Sequence, residues 1–390
     1  MLKIAVRMMI ASAIALNVGA AAAEDVPGVT KDTIKIGSFA ALTGPNYLFG
    51  KIVMNGTEVV FDKVNAEGGI HGRKLVLIRE DDRCEPAAAI AAAKKLIFQE
   101  KVFALNGGGC SNASIAAKDE VAQAKVPWLI FASVHDGLTN PPVPVLYTSA
   151  LTASIESQAQ VEYALKSNAK KIAVVSMRDS WGRSRYEAVS AYMKKKGVKI
   201  VADEELAPDS NDATPVVLRL KQAGVDAVIL LLYPKPGAVL LRDSAKFAFK
   251  PIFVGQSAIG DPTAFEEQVG VPGATANFVT ISHVKYTPES PEVAKWREAI
   301  QAKYPGDRLS VFNLVGIGSA QVLVEALKAA GPELTRETFL KALAGLKIAN
   351  PEMFGAIDCT RGDHRCNRAP AWLKKEPGGP VKVVAITPVD

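Results

Sequence analysis

The chain has 390 residues, 48% of them hydrophobic, with 30 glycines and 23 prolines, the composition of a folded globular protein rather than a disordered or collagen-like one. At roughly 100 to 200 residues per domain, this length calls for two domains or more and excludes a single small module. Lys and Arg number 46 against 40 Asp and Glu, a formal charge of +6, but no basic run is interleaved with aromatics, so nucleic acid is not expected as a partner.

In chain order, residues 1–23 read as an export signal. Lys3 and Arg7 give a positive start, Met8 to Val18 is a short apolar stretch broken only by Ser12 and Asn17, and Ala21-Ala22-Ala23 offers small residues to a signal peptidase. Cleavage is placed before Glu24. The apolar stretch is shorter than the ~20 residues that cross a bilayer, which argues against an anchor, and no later stretch reads as a span. A soluble exported protein is expected.

From Thr33 onward, short β-branched runs alternate with amphipathic stretches of helix length, the pattern of βα units around a parallel sheet. Strands are expected at Ile34–Ala41, Lys74–Arg79, Val102–Leu105 and Val126–Phe131, and helices at Gly50–Ala66, Pro86–Gln99 and Asn112–Lys125. Gly68-Gly69-Ile70-His71-Gly72 is a turn, with His71 a surface residue in it. The proline-rich Pro141-Pro142-Val143-Pro144 continues neither a helix nor a central strand and marks a joint.

A second series follows. Helices are expected at Ile155–Ser167, Gly182–Lys196, Thr214–Gly224, Gly237–Phe247 and Pro262–Val269. Strands alternate with them at Lys171–Ser176, Val198–Leu206, Val225–Leu232, Ile252–Gln256 and Asn277–Ile281, the apolar run Val225–Leu232 reading as a strand covered on both faces. Helices at Pro291–Lys303, Val311–Ala330 and Thr335–Leu346 precede an extended segment from Gly355 to Ile386. The fold class is α/β with two βα domains.

Cys84, Cys110, Cys359 and Cys366 all survive cleavage, and an even number in an oxidising compartment favours two disulfides out of three possible pairings. Cys84 with Cys110 and Cys359 with Cys366 is the pairing adopted, worth about 3.5 and about 2.4 kcal/mol in the chain-entropy model. His364 between the last two cysteines suggests zinc, but a fourth ligand is lacking. No metal and no cofactor are expected.

Enzyme motifs fail in turn. Gly107-Gly108-Gly109-Cys110-Ser111-Asn112 follows a strand and opens a helix, but Asn112 stands where a dinucleotide fingerprint needs its third glycine, and Phe131-Ala132-Ser133 ends the next strand without an acid. Gly255-Gln256-Ser257-Ala258-Ile259 resembles a nucleophile elbow without its final glycine. His135 and His283 are isolated. What remains for the Gly107–Ser111 loop is to bind an anion on free amides at a helix start, with the Ser111 hydroxyl, or simply to cap that helix. Aromatics fall near strand ends or at a helix start, at Phe49, Phe131, Trp181, Tyr233 and Phe312. In open parallel sheets that is where ligands bind, although any one ring could equally be core.

Thr43-Gly44-Pro45, the run Asn65 to Leu75, Glu80-Asp81-Asp82-Arg83-Cys84-Glu85-Pro86 and Cys110-Ser111 together resemble the leucine/isoleucine/valine-binding-protein-like group of type I periplasmic solute-binding proteins of ABC importers. The resemblance covers nearly the whole mature length. It implies two Rossmann-like lobes joined by a three-crossing hinge, closing on a solute in the periplasm. Lobe 1 would span 24–149 and 280–357, and lobe 2 would span 150–279 and 358–390. Crossings are expected near Thr148–Leu151, Phe278–Ser282 and Ala356–Thr360. The resemblance also implies a disulfide between Cys84 and Cys110, and an inner-membrane ABC permease as partner of a monomeric receptor.

By that resemblance Ser111 receives a ligand carboxylate, and Phe49, Trp181, Tyr233 and Phe312 are wall residues. Ala132, Ser133 and Val134 fall where relatives carry a small residue followed by Thr, and Val134 lacks the hydroxyl. Ser257 stands where an acid commonly pairs the ligand α-ammonium, and a buried unpaired ammonium costs several kcal/mol. The expected ligand is therefore a small carboxylate without the amine, such as an aromatic or keto acid. A branched-chain or other amino acid is the alternative, with Asp179, Asp136 or a backbone carbonyl replacing the acid. His135 and Arg178 are candidates for further anion contact. A sensory binding protein and an exported small-acid enzyme are the competing functions.

Overall fold

The computed structural model describes residues 26–376 and 378–389; the export signal read in residues 1–23 lies outside them. One parallel sheet is built from β1 (Thr33–Ala40), β2 (Lys74–Asp81), β3 (Ala104–Gly107), β4 (Trp128–Ile130) and β5 (Leu146–Thr148), in the order β2-β1-β3-β4-β5. A second contains β6 (Ile172–Met177), β7 (Ile200–Leu206), β8 (Ala227–Leu231), β9 (Ile252–Val254) and β10 (Phe278–Ser282), in the order β7-β6-β8-β9-β10. The two sheets thus repeat one doubly wound topology, in which the direction of strand addition reverses between the first and third strands of each.

Burial explains the strand chemistry. Every residue of β6 and β8 is buried, as expected for central strands with helices on both faces, whereas β7 at the sheet edge alternates between half-buried and exposed positions. The C-terminal segment is more broken than its sequence suggested. β11 (Lys347–Ile348) and β12 (Ile357–Asp358) form a small antiparallel pair, and the second sheet is extended by β13 (Ala371–Lys375), antiparallel to β10, and then by β14 (Val381–Ile386), antiparallel to β13.

The helix Val311–Ala330 is long and apolar enough to cross a bilayer, contrary to the sequence reading, but it is mostly buried inside the first lobe. It crosses the helix Lys51–Ala66 at van der Waals distance through two glycines. A Cβ on Gly56 would lie 2.1 Å from the Asn313 carbonyl oxygen, and one on Gly316 1.9 Å from that of Val53. Only glycine allows this approach.

Both cysteine pairs are joined, Cys84 to Cys110 and Cys359 to Cys366, with Cα separations of 5.3 and 4.2 Å. Sheet membership moves two of the expected crossings. The chain first leaves β5 for the second lobe at 149–152. β10 pairs with β9, so the return falls after it, at 283–285, rather than within Phe278–Ser282. The Cys359–Cys366 loop belongs to the first core, and its Cys366 amide donates to the Thr148 carbonyl at 2.9 Å. The third passage therefore lies at 367–370, where Asn367 Nδ2 donates to the His283 carbonyl at 3.1 Å. An extended apolar run announces a strand, but it does not say which of two similar sheets will take it.

Candidate functional site

Between the lobes, at the carboxyl ends of the strands flanking both switch points, lies a cleft of about 870 Å³ of non-atom space, counted to its open mouth. The first lobe contributes the loop after β3. There the helix Ser111–Gln123 begins with no side chain capping it, and the Ser111 Oγ accepts from Ser133 Oγ at 3.4 Å. The sequence allowed Ser111 to be a simple cap; the structure shows the helix start uncapped. Gly109 passes so close to the chain that a Cβ there would sit 2.2 Å from the Phe49 carbonyl oxygen, which fixes the loop against the wall.

Two aromatic pairs form facing walls. Phe49 and Phe312 meet edge-on, centroids 5.4 Å apart, on the first lobe; Trp181 and Tyr233 stack at 4.5 Å on the second. Burial pushes the Tyr233 phenol well above its usual range, so it stays neutral. Ala132, Val134 and Ser257 also line the cleft. Ser133 does not; it is buried behind Ser111. Phe131 is core.

The other polar candidates are engaged elsewhere. Asp179 caps its own helix by accepting from the Gly182 amide at 2.7 Å, and Asp136 accepts from Ser154 through its amide and hydroxyl at 2.9 and 2.7 Å. His135 Nδ1 accepts from the Gly137 amide, and Arg178 lies 3.5 Å from Glu205 on the exposed surface. None of the four lines the cleft.

Sequence reasoning missed a buried ionic cluster behind the second-lobe wall. Glu156 is fully buried; its Oε2 accepts from Arg185 Nη2 at 2.6 Å, its Oε1 accepts from the Ser257 hydroxyl, and His283 Nε2 lies 3.3 Å from Oε1. The Arg185 guanidinium also sits 5.3 Å from the Trp181 ring centroid. Burial alone would raise the Glu156 carboxyl, but Arg185, His283 and Ser257 outweigh it and hold its pKa down at about 2. His283, isolated in the sequence, lines the cleft. A signal for the cluster was present. Glu156 falls on the buried stripe Ala153, Glu156, Gln160, Ala164, and Arg185 on the stripe Trp181, Arg185, Val189, Met193. A charged residue on an apolar helix face requires a buried partner.

Comparison with known proteins agrees with this architecture. The periplasmic binding protein family matches residues 33–375. The Leu/Ile/Val-binding protein homolog 7 of Brucella abortus is 28% identical over 326 residues, covering 80% of this chain and 81% of the relative. Among solved structures, a branched-chain amino acid transporter substrate binding protein from Streptococcus pneumoniae in complex with isoleucine superposes with a TM-score of 0.75 at 23% identity, covering 92% of this chain and 99% of that one. A solute binding protein from R. palustris in complex with 4-hydroxybenzoate superposes at 0.77 with 19% identity, covering 92% and 97%. The two-lobed α/β fold, the paired switch points and the match over most of the length agree: the chain belongs to the Leu/Ile/Val-binding-protein-like family of type I periplasmic binding proteins, the substrate-binding proteins of ABC transporters.

Proposed function

We propose that this chain is a non-catalytic, monomeric receptor, exported to the periplasm through residues 1–23, that delivers a small carboxylate-bearing solute, an aromatic or keto acid, to an inner-membrane ABC permease. One observation carries the choice of ligand: among the described residues, no Asp, Glu, Lys or Arg lines the cleft. An α-ammonium would find no unpaired acid there. A carboxylate fits the uncapped amides at Ser111 and the helix dipole behind them. Phe49, Phe312, Trp181 and Tyr233 offer apolar faces to a ring or short chain. The 4-hydroxybenzoate complex of the R. palustris protein supports an aromatic acid as cargo on this fold. Closure about the three crossings would bring the two walls together on the ligand.

A branched-chain amino acid is the second reading, favoured by the name of the Brucella relative and by the isoleucine complex. A thermal-shift screen of the ligand-stripped protein separates them. A binder at 100 times its Kd adds about 2.7 kcal/mol of stability. Aromatic or keto acids should raise Tm; stabilisation by amino acids alone would reject the proposed ligand class. Recovery of the binder chemically unchanged tests the non-catalytic reading.

A further inference from the structure

We propose that Glu156 draws the Ser257 hydroxyl hydrogen inward so that the second lobe presents a hydrogen-bond acceptor to the cleft, and that the ligand is a carboxylic acid carrying a hydroxyl group which donates to it. The inference rests on the carboxylate reading above and deepens it.

An ionised carboxylate can only accept hydrogen bonds. Glu156 is fully buried and paired with Arg185, so the Ser257 hydroxyl in contact with it must donate its single hydrogen inward. The Ser257 Oγ, on a half-buried residue lining the cleft, retains only lone pairs for a ligand. His283 Nε2 lies 3.3 Å from the same Glu156 Oε1, and its Nδ1 is buried, so the acceptor that this cluster offers to the cleft is the Ser257 Oγ. The neighbouring Gln256 does not add another, because its amide is bonded to the Leu232 carbonyl at 2.8 Å and its carbonyl oxygen accepts from the Ala258 amide at 2.6 Å.

Charge selects among donors. The negative charge of Glu156 is matched by Arg185, so the cluster holds no net negative charge. A neutral hydroxyl is satisfied by acceptors alone, whereas an ammonium would need a net negative charge that the cluster does not hold.

Affinities measured by calorimetry for matched pairs test this: benzoate with 4-hydroxybenzoate and 3-hydroxybenzoate, 4-methoxybenzoate as the donor-less oxygen control, phenylpyruvate with 4-hydroxyphenylpyruvate, and leucine. At least one hydroxy acid should bind tenfold or more tighter than its parent and than any methoxy control. Ser257→Ala should shrink that ratio while the parent acid still binds, an effect that general loosening of the fold would not produce. If the acids bind but a hydroxyl changes no pair by more than threefold, the acceptor proposal fails and the carboxylate reading stands. If leucine binds and no acid does, or if no acid binds at all, the carboxylate reading fails and this inference falls with it.

Discussion

Replacing Glu156 by Gln should destabilise the protein by about 3 to 5 kcal/mol at pH 7, the usual result of removing one member of a buried ion pair and leaving the other charge uncompensated. Glu156 and Arg185 are 0% and 1% exposed, so water cannot take over the lost partner. Linkage gives a similar figure. The folded carboxyl is held at about 2 against an ordinary value of 4.5, a difference worth about 3 kcal/mol. Because the folded pKa is depressed, this contribution is fully present above pH 4.5 and is lost as pH falls towards 2. Urea unfolding of wild type, Glu156→Gln, Arg185→Met and the double variant, repeated from pH 3 to pH 7, measures both effects. Each single variant should lose several kcal/mol, the double variant much less than the sum, and Glu156→Gln should lose part of the wild-type acid dependence. A Glu156→Gln protein within 1 kcal/mol of wild type at pH 7 would refute the reasoning.

Asp82 has the opposite sign. Its complete burial, with repulsion from Asp81 added and the Cys84 amide bond opposing, raises its pKa to about 6, so its contribution to stability falls as pH rises from 3.8 through 6, by about 3 kcal/mol in all. Asp82→Asn should therefore raise Tm at pH 7.5 and leave it nearly unchanged at pH 4; a lower Tm at pH 7.5 contradicts this. Trp181→Ala and Tyr233→Ala should each weaken ligand binding by more than 1 kcal/mol, as buried aromatic anchors do, and unchanged titration curves for both would remove the stacked pair from the site. Gly316→Ala forces a Cβ into the Val53 carbonyl and should cost roughly 1 to 3 kcal/mol of chemical stability, with a wild-type unfolding midpoint as the contrary result.

The fold was legible because its signals are local. Continuous apolar runs such as Ala227–Leu231 and amphipathic helices such as Lys51–Ala66 declare themselves locally in the sequence. The lining of the candidate cleft was legible where loop chemistry marked it: Ser111 after a glycine run, Tyr233 and Trp181 just past strand ends. It was not legible where the partners are distant in sequence. Ser257 and Glu156 are 101 residues apart, and Ser257 alone suggested that no acid stood near that position. An acid is present, one side chain deeper, but Arg185 already neutralises it. Two of the three crossings lie further along the chain than expected for a related reason: Ile357–Asp358 and Phe278–Ser282 both read as extended, and only pairing with β11 or β9 assigns them to a lobe.

The two lobes share strand order, so topology alone gives each a switch point facing the cleft, yet the chemistry placed there differs. In the first lobe the helix start at Ser111 supplies backbone amides, donors whose positions are fixed by the chain and by the Cys84–Cys110 bond. In the second, the corresponding strand ends supply Trp181 and Tyr233, with Glu156, Arg185, Ser257 and His283 behind and beside them. His283 also belongs to the second crossing, and its carbonyl accepts from Asn367 in the third. A side chain that borders the cleft is thus carried by a chain segment that passes between the lobes. A ligand touching it would engage both lobes and the hinge at once, so selectivity and closure would depend on the same few side chains rather than on the fold that the two halves share.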